Sequence, residues 1–214
     1  MVGKNLLIRM LSSVLIFCVL IFSLYSGRMV VYTLFFSIAV ISAFEWGNMT
    51  AGKKVFYIPA FFIIILPYAS LLYIYSLPHG TMLLLWLIFS VWSTDIAAYF
   101  IGKSIGGWKI LPGISPNKTW SGLCGGIVFS MITSVMMSII FGIFSISHSF
   151  IIGIIIAIIA QIGDFTESFI KRLCNVKNSG SVIPGHGGML DRMDGFIFTA
   201  PLTAYYIKGI AKFF

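Results

Sequence analysis

The sequence predicts an all-α integral membrane protein, a polytopic bundle of about seven transmembrane helices with its N-terminus in the cytoplasm. Of the 214 residues, 59% are hydrophobic and 9% are charged, and the mean hydropathy is +1.03. This composition excludes a soluble domain with a polar shell. Apolar runs long enough to cross about 30 Å of hydrocarbon recur along the chain, and they lack the alternation of barrel strands.

Seven apolar segments define the expected helices in order. The first follows Lys4 and Arg9 and resembles a signal peptide, but its apolar stretch is long for a signal and many spans follow, which favours an uncleaved helix. No soluble domain remains between the segments, so residues 1–214 are expected to form one membrane-embedded domain. The segments are residues 5–25, 29–46, 55–76, 82–101, 122–144, 149–172 and 195–213.

The basic residues orient these segments. With seven spans, eleven of the fourteen Lys and Arg residues fall on the face that carries the N-terminus, and only Arg28, Lys208 and Lys212 fall on the other face. Positive charge accumulates on the cytoplasmic side of membrane proteins. The chain is therefore expected to have its N-terminus inside and its C-terminus outside. The eleven are Lys4, Arg9, Lys53, Lys54, Lys103, Lys109, Lys118, Lys171, Arg172, Lys177 and Arg192.

All six acidic residues fall in the same, cytoplasmic half. Asp95 and Asp164 each lie seven residues before the end of a span, which places both carboxylates about 10 Å inside their helices. An ionisable side chain at that depth costs a few kcal/mol, so it should face a cavity, a metal or a partner and not lipid. The six are Glu45, Asp95, Asp164, Glu167, Asp191 and Asp194.

The sixth segment carries a polar stripe. Asp164, Glu167, Ser168 and Lys171 have offsets of 0, 3, 4 and 7, which define one helical face. One interpretation is a buried Asp–Lys pair that only fixes helix packing. Four polar groups exceed what a single pair needs, and this favours a functional site.

Two cytoplasmic loops contain residues suited to anions. In the first, GKSIGGWKILPGISPNKTWSG, we expect Ser115 to cap the fifth helix with Pro116 at its first position, so that free N–H groups and the positive end of the helix dipole face the loop. Lys118 adds a full charge there. In the second, KRLCNVKNSGSVIPGHGGMLDRMDG, glycines flank His186 and would let backbone N–H groups approach a phosphate.

The second loop ends in two carboxylates, Asp191 and Asp194, with Arg192 between them. The acids are three residues apart and can point the same way. Paired carboxylates beside basic residues suit a Mg²⁺-nucleotide site, because the acids hold the cation and the bases neutralise phosphate oxygens. The alternative is an ion-pair network that ties the loop to the bundle.

The segment SFIKRLCNVKNSGSVIPGHGGMLDRMD, residues 168–194, closely resembles the signature of the phosphatidate cytidylyltransferase (CDP-diacylglycerol synthase) family. DIAAYFIG, SPNKTW and QIGDFTESFIKR resemble other recurrent pieces of that family. Two positions depart from its pattern. Asn178 stands where the signature has Asp, and Ser121 stands where members usually have Glu.

The resemblance implies a reaction. Members transfer CMP from CTP to phosphatidic acid, and this gives CDP-diacylglycerol and pyrophosphate. CTP, phosphatidic acid and membrane lipid are therefore the expected partners, with Mg²⁺ or another divalent cation as cofactor. A nucleic-acid partner is not expected, and a homodimer is compatible with the commonly dimeric family. A bacterial inner-membrane location with the active site on the cytoplasmic side follows.

Site residues follow from the loops, the stripe and the resemblance together. Asp164 and Asp191 are the expected metal ligands. Asp191, Asp194, Lys171 and Asp164 are the expected catalytic residues, within a polar recess open to lipid and to water. The expected substrate-binding residues are Lys118, Ser115, Asn117, Arg172, Lys177, His186, Gly187, Gly188, Arg192 and Asp95.

Two other functions were weighed against this one. A transporter with an intramembrane acidic site would spread its carboxylates through the membrane and would favour inverted repeats. Here the acids occupy one half, and no repeat is evident. An alcohol phosphotransferase that uses CDP-diacylglycerol would carry the pattern D-x-x-D-G-x-x-A-R, which the sequence lacks.

Overall fold

A computed structural model describes residues 2–185 and 187–210 of the chain, with side chains for 10–185 and 187–209. Seven helical segments form, and no strand occurs in these described ranges. The all-α prediction is confirmed, and each helix end lies within a few residues of its predicted position; residues 211–213 of the last predicted span fall outside the described part. The helices are α1 (Val2–Ser26), α2 (Arg28–Thr50), α3 (Lys54–Ser76), α4 (Gly80–Ile105), α5 (Trp120–Phe141), α6 (Ile146–Leu173) and α7 (Phe196–Ile210).

Helices α2 to α6 are long and apolar enough to cross a membrane. Within the described residues, the corresponding stretches of the first and last helices, Met10–Ser26 and Phe196–Ile210, are shorter. Large apolar side chains such as Phe22, Phe36 and Ile139 point outward and are exposed on the protein surface. An apolar exterior is the surface that lipid requires, and the chain is a multi-pass membrane protein.

Helix α3 is irregular in its middle. A π-helical turn at Phe61–Ile65 separates a short first part from the regular helix Leu66–Ser76. Pro67 has no N–H to donate to the carbonyl four residues earlier, so the regular hydrogen-bond pattern is interrupted beside this turn.

The centre of the bundle is α4, which packs against α5, α6 and α7. Trp86 is fully buried, and its indole N–H donates to the Ser134 carbonyl oxygen at 3.1 Å. The Ser134 hydroxyl in turn donates to the Ser149 carbonyl oxygen at 2.7 Å. These bonds satisfy polar groups internally, as an environment without water requires.

Helix direction places the polar residues together. Helices α2, α4 and α6 run the same way, so their C-terminal ends meet at one end of the bundle, where α7 begins. The two long connections, residues 106–119 and 174–195, cover that end. The opposite end has only short connections, residues 77–79 and 142–145.

Candidate functional site

The connection between α4 and α5 folds into a small hairpin. The Ile110 N–H donates to the Lys118 carbonyl oxygen at 3.1 Å, and the Trp120 N–H donates to the Trp108 carbonyl oxygen at 3.0 Å. The Ser121 hydroxyl, at the position where the family usually has Glu, donates to the Gly106 carbonyl. The hairpin fixes Lys118 at the mouth of the polar end.

The prediction that Ser115 caps α5 is wrong. The helix begins at Trp120, and the cap is Thr119, whose hydroxyl accepts the Gly122 N–H at 3.2 Å. Ser115 lies in a turn, where its N–H donates to the Leu111 carbonyl oxygen at 2.9 Å. Pairing across the hairpin keeps residues 115–118 out of the helix, so the free N–H groups of the helix start lie after Thr119 and not after Ser115.

Lys118 connects this hairpin to α6. Its ammonium pairs with the Asp164 carboxylate and lies 4.2 Å above the centre of the Phe165 ring. The other carboxylate oxygen of Asp164 accepts the Ser168 hydroxyl at 3.3 Å. A residue of the first anion-suited loop and a residue of the polar stripe therefore meet directly.

A second ion-pair cluster is centred on Lys171. Its Nζ lies 2.9 Å from Oε2 of Glu167 and 2.7 Å from Oδ1 of Asp191. Glu167 is fully buried and Lys171 is 8% exposed. The ammonium thus links the stripe on α6 to the second loop.

Both carboxylate oxygens of Asp191 accept hydrogen bonds. Its Oδ2 accepts the Gly188 N–H at 2.8 Å and the Ser179 N–H at 3.1 Å, and its Oδ1 accepts from Lys171. Burial raises the pKa of this carboxyl, but the hydrogen bond and charge of Lys171 and the two backbone donors outweigh burial, so the pKa lies below its ordinary value. Asp191 is an ionised anchor of the loop.

Asp194 has different surroundings. Burial, followed by the charges of Asp164, Glu167 and Asp95, raises its pKa well above the ordinary value, and the bond from the Gly195 N–H only partly opposes this. That N–H lies 2.8 Å from the Asp194 carboxylate. Asp191 and Asp194 therefore have different partners, although they lie three residues apart.

Asp95 of α4 also belongs to this group of charged side chains. It interacts electrostatically with Asp164, Lys118 and Arg192, which belong to α6 and to the two loops. Asp95 and Asp164, for which the sequence predicts equal depths, interact with each other at the polar end. Side chains from four separate segments meet there.

The remaining expected residues lie around this centre. Arg172 donates through Nε to the Ile114 carbonyl oxygen at 3.3 Å and through Nη1 to the Val176 carbonyl oxygen at 3.0 Å, which ties the two loops together. Asn117, Lys177 and Arg192 are exposed, and Ser115 is half-buried. His186 lies outside the described residues.

The glycines beside His186 serve close packing. A Cβ at Gly187, where φ is +91°, would lie 2.9 Å from Oδ2 of Asp191, and one at Gly188 would lie 2.1 Å from Oγ of Ser179. The Gly188 N–H already donates to Asp191. A phosphate would have to displace this bond to reach that donor.

Glu45 was not assigned to the site from the sequence. This buried residue of α2 accepts hydrogen bonds from the backbone N–H groups of Met189 and Leu190, both at 2.9 Å, and from the Ser179 hydroxyl at 3.1 Å. The available signal was a lone carboxylate within an apolar span, a feature that is commonly functional.

The residues present fit a divalent cation in their chemistry, but they do not form a ready cage. Within the part of the chain that the structure describes, no group of three or more His, Cys, Asp or Glu side chains is arranged to hold a metal. The carboxylates of Asp164, Asp95 and Asp194 nevertheless offer oxygen atoms, and they repel one another. A hard cation bound to these oxygens would relieve the repulsion. Asp191 fits less well, because its oxygens already accept hydrogen bonds.

Two open, mainly apolar surface pockets of the bundle contain no charged side chain. One, of about 290 Å³, lies between α1 and α2, and the other, of about 420 Å³, is lined by residues including Phe62, Ile159 and Pro201. The expected polar recess is neither of these. In the structure the carboxylates and ammonium groups fill the polar end by pairing with one another.

The fold and the site together define a class: a multi-pass helical membrane protein with carboxylates and basic groups gathered at one end. The profile of the cytidylyltransferase family matches residues 53–210. The chain belongs to this family, and it is therefore a nucleotidyltransferase.

Similar proteins cover between about 60% and nearly all of the chain. A phosphatidate cytidylyltransferase of Rickettsia bellii is 35% identical over 97% of this chain and 92% of its own length. One of Rickettsia felis is 37% identical over 94% and 92%, respectively. One of Brucella suis is 42% identical over 62% of this chain and 48% of its own length.

Proposed function

We propose that this protein transfers CMP from CTP to phosphatidic acid, giving CDP-diacylglycerol and pyrophosphate for phospholipid biosynthesis. The observation that carries the proposal is the convergence of Lys118, Asp164, Lys171 and Asp191 from separate segments of a cytidylyltransferase-family chain. Similar proteins of Rickettsia and Brucella bear the name of this activity.

The chemistry requires little proton transfer. An oxygen of the lipid phosphate attacks the α-phosphorus of CTP, and a new P–O bond forms. The bond from that phosphorus to the bridging oxygen breaks, and pyrophosphate leaves with the electron pair. Phosphatidate is already anionic near neutral pH, so the main obstacle is the repulsion between two anions, and catalysis rests on positioning and charge neutralisation.

The ion pairs suggest how the charges are supplied. In the structure, the Lys118 ammonium pairs with Asp164 and the Lys171 ammonium pairs with Glu167 and Asp191. When phosphate oxygens arrive, each ammonium exchanges a carboxylate for a phosphate and remains paired. The exposed bases Arg172, Lys177 and Arg192 attract CTP to the mouth of the site, together with Ser115, Asn117, His186 and the adjacent glycines.

Mg²⁺ or another divalent cation belongs to the proposal. Asp164 would be its foremost ligand, and Asp95 and Asp194, which interact electrostatically with Asp164, would be further oxygen donors; Asp191 would join only on releasing one hydrogen bond. When bound, the cation supplies positive charge to phosphate oxygens that the lysines do not reach. The carboxylates freed when the lysines move to phosphate would then face this positive charge.

We place the active site on the cytoplasmic side of the bacterial inner membrane. Removing phosphatidate from the leaflet costs about 0.8 kcal/mol for each exposed CH₂, so the protein must take the headgroup at interfacial depth while CTP arrives from water. A homodimer is part of the proposal, and a nucleic-acid partner is not. Grouping of the described carboxylates at one end favours this reaction over transport.

Labelled CTP tests the proposal. Purified protein with Mg²⁺ and phosphatidate should incorporate the label into lipid, and Asp191→Ala should reduce incorporation by about 100-fold or more, because the loop and Lys171 lose their shared anchor. His148→Ala, at the opposite end of the bundle, is the matched control and should keep full activity. Retained incorporation in Asp191→Ala, with normal membrane insertion, would contradict the assignment.

A further inference from the structure

Helix α2 contributes a carboxylate to the loop that carries Asp191, although α2 precedes the residues matched by the family profile. Glu45 is 5% exposed and lies near the C-terminal end of α2. Its nearest polar partners are 134 to 145 residues away in the chain. Such a contact must be built by the tertiary fold.

The carboxylate of Glu45 caps the start of a short 3₁₀ turn. Oε1 accepts the Met189 N–H and Oε2 accepts the Leu190 N–H, each at 2.9 Å. These donors lie at the start of the 3₁₀ turn Leu190–Arg192, where N–H groups have no partner within the turn. Asp191 is the middle residue of that turn.

Ser179 connects the two carboxylates. Its hydroxyl donates to Oε2 of Glu45 at 3.1 Å, while its N–H donates to Asp191 at 3.1 Å. Glu45 therefore holds the loop both before and after the glycines that flank His186. Displacement of its carboxylate would release both sides of the loop at once.

Two glycines leave room for this carboxylate. A Cβ at Gly180 would lie 2.4 Å from Oε1 of Glu45, and a Cβ at Gly188 would lie 2.6 Å from Oε2. Any larger residue at either position would push Glu45 out of its hydrogen bonds. The small residues of the loop and the carboxylate of α2 thus form one packed unit.

We propose that Glu45 is a positioning residue for CMP transfer, which acts by fixing the 179–191 loop and thereby the Asp191 carboxylate. The inference rests on the proposed function. Glu45 touches neither substrate in this scheme. It holds the Asp191 carboxylate, which pairs with the Lys171 ammonium. Glu45 thereby determines where this ammonium can contact a phosphate.

Glu45→Gln is the most informative variant. All three groups around the carboxylate can donate, so a carboxamide must turn its NH₂ toward a donor and lose at least one bond. The change keeps side-chain size and leaves helix α2 intact. We expect kcat to fall by about 100-fold, as displacement of a catalytic group by roughly 1 Å does, with a smaller change in KM for CTP.

Gly180→Ala is a second, independent variant. Its added Cβ displaces Glu45 while the carboxylate itself is retained, so it should also lower kcat. Ser42→Ala is the matched control on α2. It removes a buried hydrogen bond to the Tyr68 hydroxyl, 2.7 Å long, one turn from Glu45, and it should cost stability without lowering kcat.

The readouts separate this inference from the proposed function. Hydrogen exchange at the Met189 and Leu190 amides should accelerate in Glu45→Gln but not in Ser42→Ala, whatever the reaction. If both loop variants keep wild-type kcat in an active protein, or if amide protection is unchanged, Glu45 is not a positioning residue. If the wild-type protein transfers no CMP while the amides behave as expected, the proposed function fails and the structural role of Glu45 stands.

Discussion

A single charged residue, Lys171, links helix α6 to the second loop at the polar end. Its ammonium contacts both Glu167 on its own helix and Asp191 in the loop. Because Glu167 is fully buried, its negative charge depends on this partner. Removing one member of a buried ion pair leaves an uncompensated charge, which is far more costly than the pair itself is stabilising.

We expect Lys171→Met to destabilise the protein by about 3–5 kcal/mol, the cost typical of a broken buried pair. Thermal unfolding in detergent measures this. The double variant Lys171→Met/Glu167→Gln should recover much of the loss, because the stranded charge is removed. An unchanged melting temperature in the single variant would show that solvent or another group already compensates Glu167.

At the scale of elements, close packing of α4, α5 and α6 sets the distance between the site-bearing helices. Gly122 of α5 faces the backbone of α4, where a Cβ would lie 2.6 Å from the Ala98 carbonyl oxygen. Gly153 of α6 likewise faces α5, where a Cβ would lie 2.7 Å from Cα of Met131. Small residues at such crossings let membrane helices approach closely.

Gly122→Ala should therefore destabilise the bundle by about 1–3 kcal/mol, since one methyl group forces α4 and α5 apart. Thermal unfolding in detergent is again the measurement. Gly47→Ala on α2 is the control: a Cβ there meets nothing within 4 Å, and the better helix former should be neutral or slightly stabilising. Equal effects of the two substitutions would contradict the packing account.

The helices could be predicted from the sequence because the bilayer imposes their length and composition. The start of α5 could not. Ser115 followed by Pro116 satisfies the local rule for a cap, and so does Thr119; the hairpin between residues 108–110 and 118–120 decides in favour of Thr119. Glu45 was missed for a similar reason, because its partners in the loop are more than 130 residues away.

At the scale of the whole molecule, the carboxylates of separate segments gather at one end, as their distribution along the chain had suggested. The contacts of Glu45 with Met189, of Lys118 with Asp164 and of Lys171 with Asp191 all lie there. The distribution of basic residues also predicts that this end lies on the cytoplasmic side of the membrane. This sidedness decides whether cytosolic CTP can reach the site.

Cysteine labelling tests the sidedness. In a background with Cys18, Cys124 and Cys174 replaced by Ser, single cysteines at Lys177 and at Ser147 report the two ends of the bundle. A membrane-impermeant maleimide should label Ser147→Cys in intact spheroplasts, but Lys177→Cys only after permeabilisation, because positive residues stay inside. The reverse pattern would place the polar end outside and would exclude a cytoplasmic active site.

If the carboxylates and ammonium groups of the polar end work as one site, substitutions of two of them should have coupled effects on the rate of the reaction. The measurement is the rate of pyrophosphate formation from CTP and phosphatidate by purified Asp95→Asn, Asp164→Asn and the double variant. Each single change should lower the rate by about 100-fold or more, and the double should lose little beyond either, because residues that act as a unit are not additive. Wild-type rates in either single variant, or fully additive losses in the double, would contradict a shared site.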